Sequence, residues 1–107
     1  MRNTTRLIAL LSLAGFAALS QAQTATPRID QREANQQARI NEGVATGELT
    51  HKETRHLEKQ QAKIHRAEHQ AKADGVVTPA ERARLTRMQN KASQSIEKDK
   101  TNGRVAG

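Results

Sequence analysis

The sequence predicts an all-α fold of three antiparallel helices. Three observations predict it: a 28-residue repeat, two capping boxes one repeat apart, and apolar residues at helical spacing. Shifting the chain by 28 residues lays Thr46-Gly47-Glu48-Leu49-Thr50 on Asp74-Gly75-Val76-Val77-Thr78. A second shift reaches a weaker copy, Asn102-Gly103-Arg104-Val105-Ala106. Ile29, Leu57 and Leu85 follow the same shift, as do Glu53 and Glu81, Gln61 and Gln89, and Lys63 and Lys91. Residues 51–78 and 79–106 share seven identities, which sets the units as 23–50, 51–78 and 79–106.

The helices are expected near 28–45, 51–73 and 79–100. Thr50 with Glu53, and Thr78 with Glu81, each form a capping box. The threonine hydroxyl accepts from the amide three residues on, and the glutamate reaches back. Pro79 suits the first helical position, where a missing N–H costs nothing. Gly47 and Gly75 suit the left-handed residue that closes a helix. The middle helix would be about 34 Å long at 1.5 Å per residue. Short connections favour an up-down-up arrangement. Gly43 weakens the end of the first helix, and the tail after Lys100 is expected to fray.

Four heptads fill 28 residues, so each unit should present its seam in the same register. After Ile29, the seam is read as Leu57, Gln60, Ile64, Ala67 and Ala71, then Leu85, Met88, Ala92 and Ser95. The core is thin. Twelve larger aliphatic residues follow residue 22, each contributing roughly 1.5–3 kcal/mol when fully buried. Ordering one residue costs on the order of 1.5 kcal/mol. Packed helices can meet that cost in one small domain, and folding assisted by a partner stays open.

The N-terminus carries an export pattern. Arg2 and Arg6 precede an apolar run from Leu7 to Leu19, and Ser20-Gln21-Ala22 places small residues where a signal peptidase reads. The run of 13 residues is short of the about 20 that span a bilayer. Residues 1–22 are therefore expected to form a cleaved signal peptide, leaving 23–107 as a periplasmic or secreted domain with no transmembrane span after cleavage. Cleavage removes Phe16, the one aromatic residue, and takes the formal charge from +7 to +5. The chain has no cysteine, which excludes disulfide staples, thiolate metal sites and cysteine catalysis.

Candidate chemistry is sparse. The Gly-x-Leu/Val-Thr-x-x-Glu turns share the glycine, aliphatic and final glutamate of a calcium loop. Gln70 and Lys72 stand where its first acids belong, so the turns read as helix caps. His65 and His69 lie four apart on one helix face, with Glu58 seven residues before His65. Two such imidazoles can chelate zinc or copper weakly; no other cofactor is implied. There is no nucleophile triad, no glycine-rich phosphate loop and no evident carboxylate pair, so the chain reads as a non-enzyme. The positive charge suits acidic envelope surfaces. Without aromatics for stacking, specific nucleic-acid recognition is not expected.

Two resemblances follow from these residues. Val77-Thr78-Pro79-Ala80-Glu81-Arg82, with Leu49-Thr50-His51-Lys52-Glu53 as a looser copy, resembles the Leu-Thr-Pro-x-Gln-Arg motif of the CpxP/Spy group. That resemblance implies a small helical periplasmic protein of envelope stress, client holding or metal response. Glu stands here where the motif has Gln. The broader pattern of Arg39-Ile40-Asn41-Glu42-Gly43-Val44, residues 47–53 and residues 73–81 is similar to a family of small exported proteobacterial helical-repeat proteins of unknown function. The expectation is a non-enzymatic extracytoplasmic binding or envelope stress-adaptation protein. One alternative is a periplasmic metal-binding protein using His65 and His69. Another is a structural protein associating with itself or another envelope protein through the Leu57/Ile64 and Leu85/Met88 seams.

Overall fold

The structure is a computed structural model that describes residues 24–104. The expected signal peptide and Val105 lie outside the described residues. The chain is all-helical, with α1 at Pro27–Thr46, α2 at His51–Lys72 and α3 at Pro79–Thr101. No strand occurs among the described residues. None of the described helices is long and apolar enough to cross a membrane.

Each boundary has a local cause. Thr50 and Thr78 are extended N-caps whose hydroxyls accept from Glu53 N and Glu81 N at 3.1 Å. The Glu53 and Glu81 carboxylates take the cap amides at 3.0 and 3.1 Å, completing both boxes. The glutamates that would close a calcium loop are therefore used as caps. The Thr50 backbone amide, and then Asn102, hold the Glu53 carboxyl below its ordinary value. Gly47 closes α1 at φ 76°. Gly75, at φ 86°, sits two residues beyond the right-handed Ala73 that caps α2, and so shapes the turn rather than the cap. The Asp74 carboxylate accepts from Val76 N, and Asn102 Oδ1 accepts from Arg104 N, so the second and third turns share one local bond.

Pairings between helices fix their directions. Thr26 meets Glu68 and Gln37 meets Glu58, so α1 and α2 run antiparallel. Gln60 meets Ser95 and Glu53 meets Asn102, so α2 and α3 do the same. Arg32 meets Asn90 and Arg39 meets Glu97, so α1 and α3 run parallel. The result is the up-down-up arrangement.

The buried seam is not the one the sequence suggested. In α2 it runs Leu57, Gln61, Ile64, Glu68, Ala71, and in α3 Leu85, Gln89, Ala92, Ile96. Alternating four-then-three steps replace three-then-four steps, so polar Gln61, Glu68 and Gln89 go inside where Gln60, Ala67 and Met88 were expected. Met88 is only half-buried at the rim, beside Ile64, Lys63 and Lys91. Ile96, left out of the expected seam, is fully buried.

Two apolar clusters result. Ile29, Ala71, Val77 and Leu85 pack at one end, and Ile40, Leu49, Leu57 and Ile96 at the other. Between them lies a glutamine layer. Gln61 Nε2 donates to Gln36 Oε1 at 3.0 Å, Gln36 Nε2 to the Gln89 carbonyl at 2.8 Å, and Gln89 Nε2 to the Ile29 carbonyl at 2.8 Å. Most of the polar atoms taken inside thus find partners, as burial demands. Gln89 Oε1 is the exception in this layer.

Gly43 is required by packing. It is buried in α1, and a Cβ there would lie 2.6 Å from Leu49 Cδ1 and 2.7 Å from Cγ. Leu49 is only 2% exposed and its amide bonds the Gly43 carbonyl, so it has little room to yield. Gly43→Ala is expected to lower stability by about 1–2 kcal/mol despite its better helix propensity. Urea unfolding should show a lower midpoint at unchanged slope; an equal or higher midpoint would mean that Leu49 can move aside.

Candidate functional site: a carboxylate–histidine cluster between α1 and α2

The candidate metal residues separate in the structure. His65 and His69 lie edge to face, with ring centroids 4.7 Å apart. Glu58 accepts from Gln37 Nε2 at 2.8 Å; it lines the same groove as His65 but does not join the cluster around it. Instead, the antiparallel pairing of α1 with α2 brings Glu33 and Glu68 to His65. One ligand atom from each of the three lies within 4.8 Å of the others. His65 Nδ1 is 3.9 Å from Glu33 Oε2.

Each side chain has a distinct environment. Glu68 is deeply buried on the α2 seam. It accepts from Thr26 Oγ1 at 2.6 Å and pairs with Lys72 Nζ at 2.9 Å. Thr26 Oγ1 is also 3.2 Å from an Asp30 carboxylate oxygen. Its single proton goes to the closer acceptor, which is Glu68. Thr26 makes no side-chain cap for α1, unlike Thr50 and Thr78. Glu33 sits beneath the exposed His65. Its Oε1 is buried with no hydrogen-bond partner. The carboxyl group as a whole is hydrogen-bonded to Glu68, so the two acids share a proton.

The electrostatics follow from three carboxyl groups facing one lysine. Burial, then the neighbouring Glu68 carboxylate, then Asp30, push Glu33 up to about 7. Asp30 is raised as well, first by its hydrogen bond with Glu68 and then by burial. Burial alone would raise Glu68, but hydrogen bonds from Asp30, Thr26 and Lys72 outweigh it and bring Glu68 down to about 2. The three titrate as a group. Glu68 carries the negative charge, while Glu33 holds a proton close to neutrality.

Comparing the three repeat units shows how this site arises. Glu68 corresponds to Ile40 and Ile96, both fully buried, and Glu33 corresponds to Gln61 and Gln89. A charge thus stands where the other units bury an isoleucine, and an acid where they place an amide. These departures from the repeat were the available sequence signal for Glu33 and Glu68. The expected seam hid it, because its register ran through Ala67 and Ala71 and left Glu68 out. Glu68 and Lys72, four residues apart on α2, form an ion pair at 2.9 Å.

No family model, curated protein or solved structure matches this chain.

The raised Glu33 carboxyl gives stability a definite pH dependence. Unfolded, Glu33 ionises near its ordinary 4.5; folded, it keeps its proton to about 7. Between those values the folded state binds more protons, so this group's contribution falls as pH rises. In metal-free protein, Glu33→Gln should raise the melting temperature at pH 7 and above, with the difference vanishing below pH 4.5. Melting curves of both proteins across that range would test it; parallel pH profiles would mean that Glu33 titrates normally.

Proposed function

We propose that this chain is a non-enzymatic, extracytoplasmic helical binding protein of the envelope-adaptation kind, and that its ligand is a divalent transition metal held by Glu33, His65 and Glu68. The observation that carries the reading is geometric: one ligand atom each from Glu33, His65 and Glu68 lies within 4.8 Å of the others. One imidazole and two carboxylates, with no thiolate, suit zinc, copper(II) or nickel better than copper(I). The export pattern at residues 1–22 and the two family resemblances support the location and the adaptive role.

The cluster also explains what a cation would change. Binding displaces the Glu33 proton, so uptake releases protons and strengthens with pH. It relieves the repulsion among Asp30, Glu33 and Glu68. Lys72 is the competitor, since its ammonium already serves Glu68; its side chain is 31% exposed and can swing into solvent. His69, edge-on to His65, is a supporting neighbour rather than one of the three ligands.

Of the seam residues on which self-association would rest, Leu57, Ile64 and Leu85 are buried within the chain and Met88 is half-buried at its rim, which favours the metal reading over that alternative. Val44 and Val76 are the only large hydrophobics exposed among the described residues.

Zinc titration of the mature chain, followed by the imidazole resonances, tests the proposal. Micromolar zinc should shift His65 strongly. Glu33→Gln and His65→Ala should each weaken binding about tenfold or more, whereas His69→Ala should have a smaller effect. Lys72→Met should tighten it. Imidazoles unmoved by micromolar zinc would remove the metal reading.

A further inference from the structure

A second site lies on the opposite flank of α1 and does not depend on the metal reading. Charges on α1 are largely sorted by side. Arg28, Arg32 and Arg39 fall within about 40° of arc at 100° per residue, whereas Asp30 and Glu33 lie far around the helix, facing α2; Glu42, near the end of α1, is the exception and pairs with Lys100 of α3 at 3.9 Å. The arginine flank faces α3. Arg32 and Arg39 there line an open groove of about 570 Å³, and α3 contributes Asn90, Ser93, Gln94, Glu97 and Lys98.

The guanidinium groups are held in place by mostly neutral partners. Arg32 Nη2 donates to Asn90 Oδ1 at 2.8 Å, and Arg39 Nη1 to Ser93 Oγ at 3.0 Å. No carboxylate among the described residues forms an ion pair with Arg32. Arg39 has one anionic partner, Glu97, at 3.3 Å, and the Glu97 side chain is 70% exposed. An exposed pair of this kind is weak, so an incoming anion can replace Glu97.

We propose that the α1–α3 groove binds a phosphate ester carried on a polyol, with Arg32, Arg39 and Lys98 on the phosphate and Asn90, Ser93 and Gln94 on the hydroxyls. Arginine forks match phosphate oxygens in pairs. Three cations against one displaceable carboxylate favour a dianion. The amide and hydroxyl side chains offer donors and acceptors of the kind a sugar or glycerol unit needs. No aromatic or large aliphatic residue lines the groove, which removes base stacking and acyl or apolar peptide side chains as sources of affinity. The same chemistry occurs in a soluble sugar phosphate and in a glycerophospholipid headgroup.

Amide and guanidinium shifts of the mature chain would be followed during titration with hexose 6-phosphate, inorganic phosphate and unmodified hexose. Co-sedimentation with phosphatidylglycerol-containing and pure phosphatidylcholine vesicles forms the second arm. Hexose phosphate should shift Arg32, Arg39, Asn90 and Ser93, and bind more tightly than inorganic phosphate. Arg32→Lys keeps the charge but loses the fork, and should weaken binding about tenfold, the ratio expected on losing one charge-assisted hydrogen bond. Arg39→Gln should do the same, and Glu97→Gln should tighten binding. Lys59→Gln, on α2, should change nothing. Far-UV circular dichroism would confirm that each variant keeps its helices. Vesicle binding that depends on Arg32 and Arg39 would identify the lipid as the source; response to hexose phosphate alone would identify a soluble one. The proposal is overturned if hexose binds as well as its phosphate, if Arg32→Lys behaves as wild type, or if neither arm responds.

Discussion

The three helices are held in register by a layer of glutamines buried between two apolar clusters. Gln61 bonds Gln36, Gln36 bonds the α3 backbone, and Gln89 bonds the α1 backbone. Each bond contributes modestly to net stability, because water would also have satisfied these groups. Their importance lies in the cost of misalignment. Sliding one helix past another would leave buried amides without partners, at about 1–3 kcal/mol each. Apolar clusters built from single isoleucines and leucines, with alanine and glycine between, specify register far less sharply. The glutamines therefore supply the uniqueness that a thin core lacks, as buried polar residues do in some coiled coils.

The same geometry makes α1 a divider between two kinds of surface. Two of its carboxylates, Asp30 and Glu33, face α2, where they crowd Glu68 and share Lys72. Arg32 and Arg39 face α3, where Asn90 and Ser93 hold them and the exposed Glu97 is the one carboxylate among the described residues paired with Arg39. Neither arrangement is what stability alone would select. A buried glutamate replaces the isoleucine of the other units, and an unpaired carboxylate oxygen is left inside. Unresolved local costs of this sort concentrate at functional sites. The α1–α2 cluster fits a cation and the α1–α3 groove an anion, and the two lie on opposite sides of one helix.

Much of the fold was legible because it rests on local chemistry. Thr50, Glu53, Thr78 and Glu81 act within four residues of one another, and their capping boxes form as the sequence implies. The helices start and stop within a residue or two of expectation for the same reason. The seam was misread in its register, which put Gln60, Ala67, Met88 and Ser95 inside in place of Gln61, Glu68, Gln89 and Ile96. Gln61, Glu68 and Gln89 carry polar groups, but the neighbouring helices offer them partners, and burial follows from those partners. Gly43 looked like a weak point in a helix. Its purpose became visible only with Leu49 packed against it.

The sequence by itself determined the helices, their caps, the repeat and the up-down-up order, since each depends on residues close along the chain or on short connections. It also marked His65 as one half of a chelating pair. Only the tertiary structure decided which polar residues are buried, that His65 meets Glu33 and Glu68 rather than Glu58, and that Glu33 keeps its proton to near neutrality. Those outcomes depend on the relative rotation of two helices. A hundred degrees of turn per residue separates a solvated glutamate from a buried one, and no local pattern fixes that angle when the seam itself is polar.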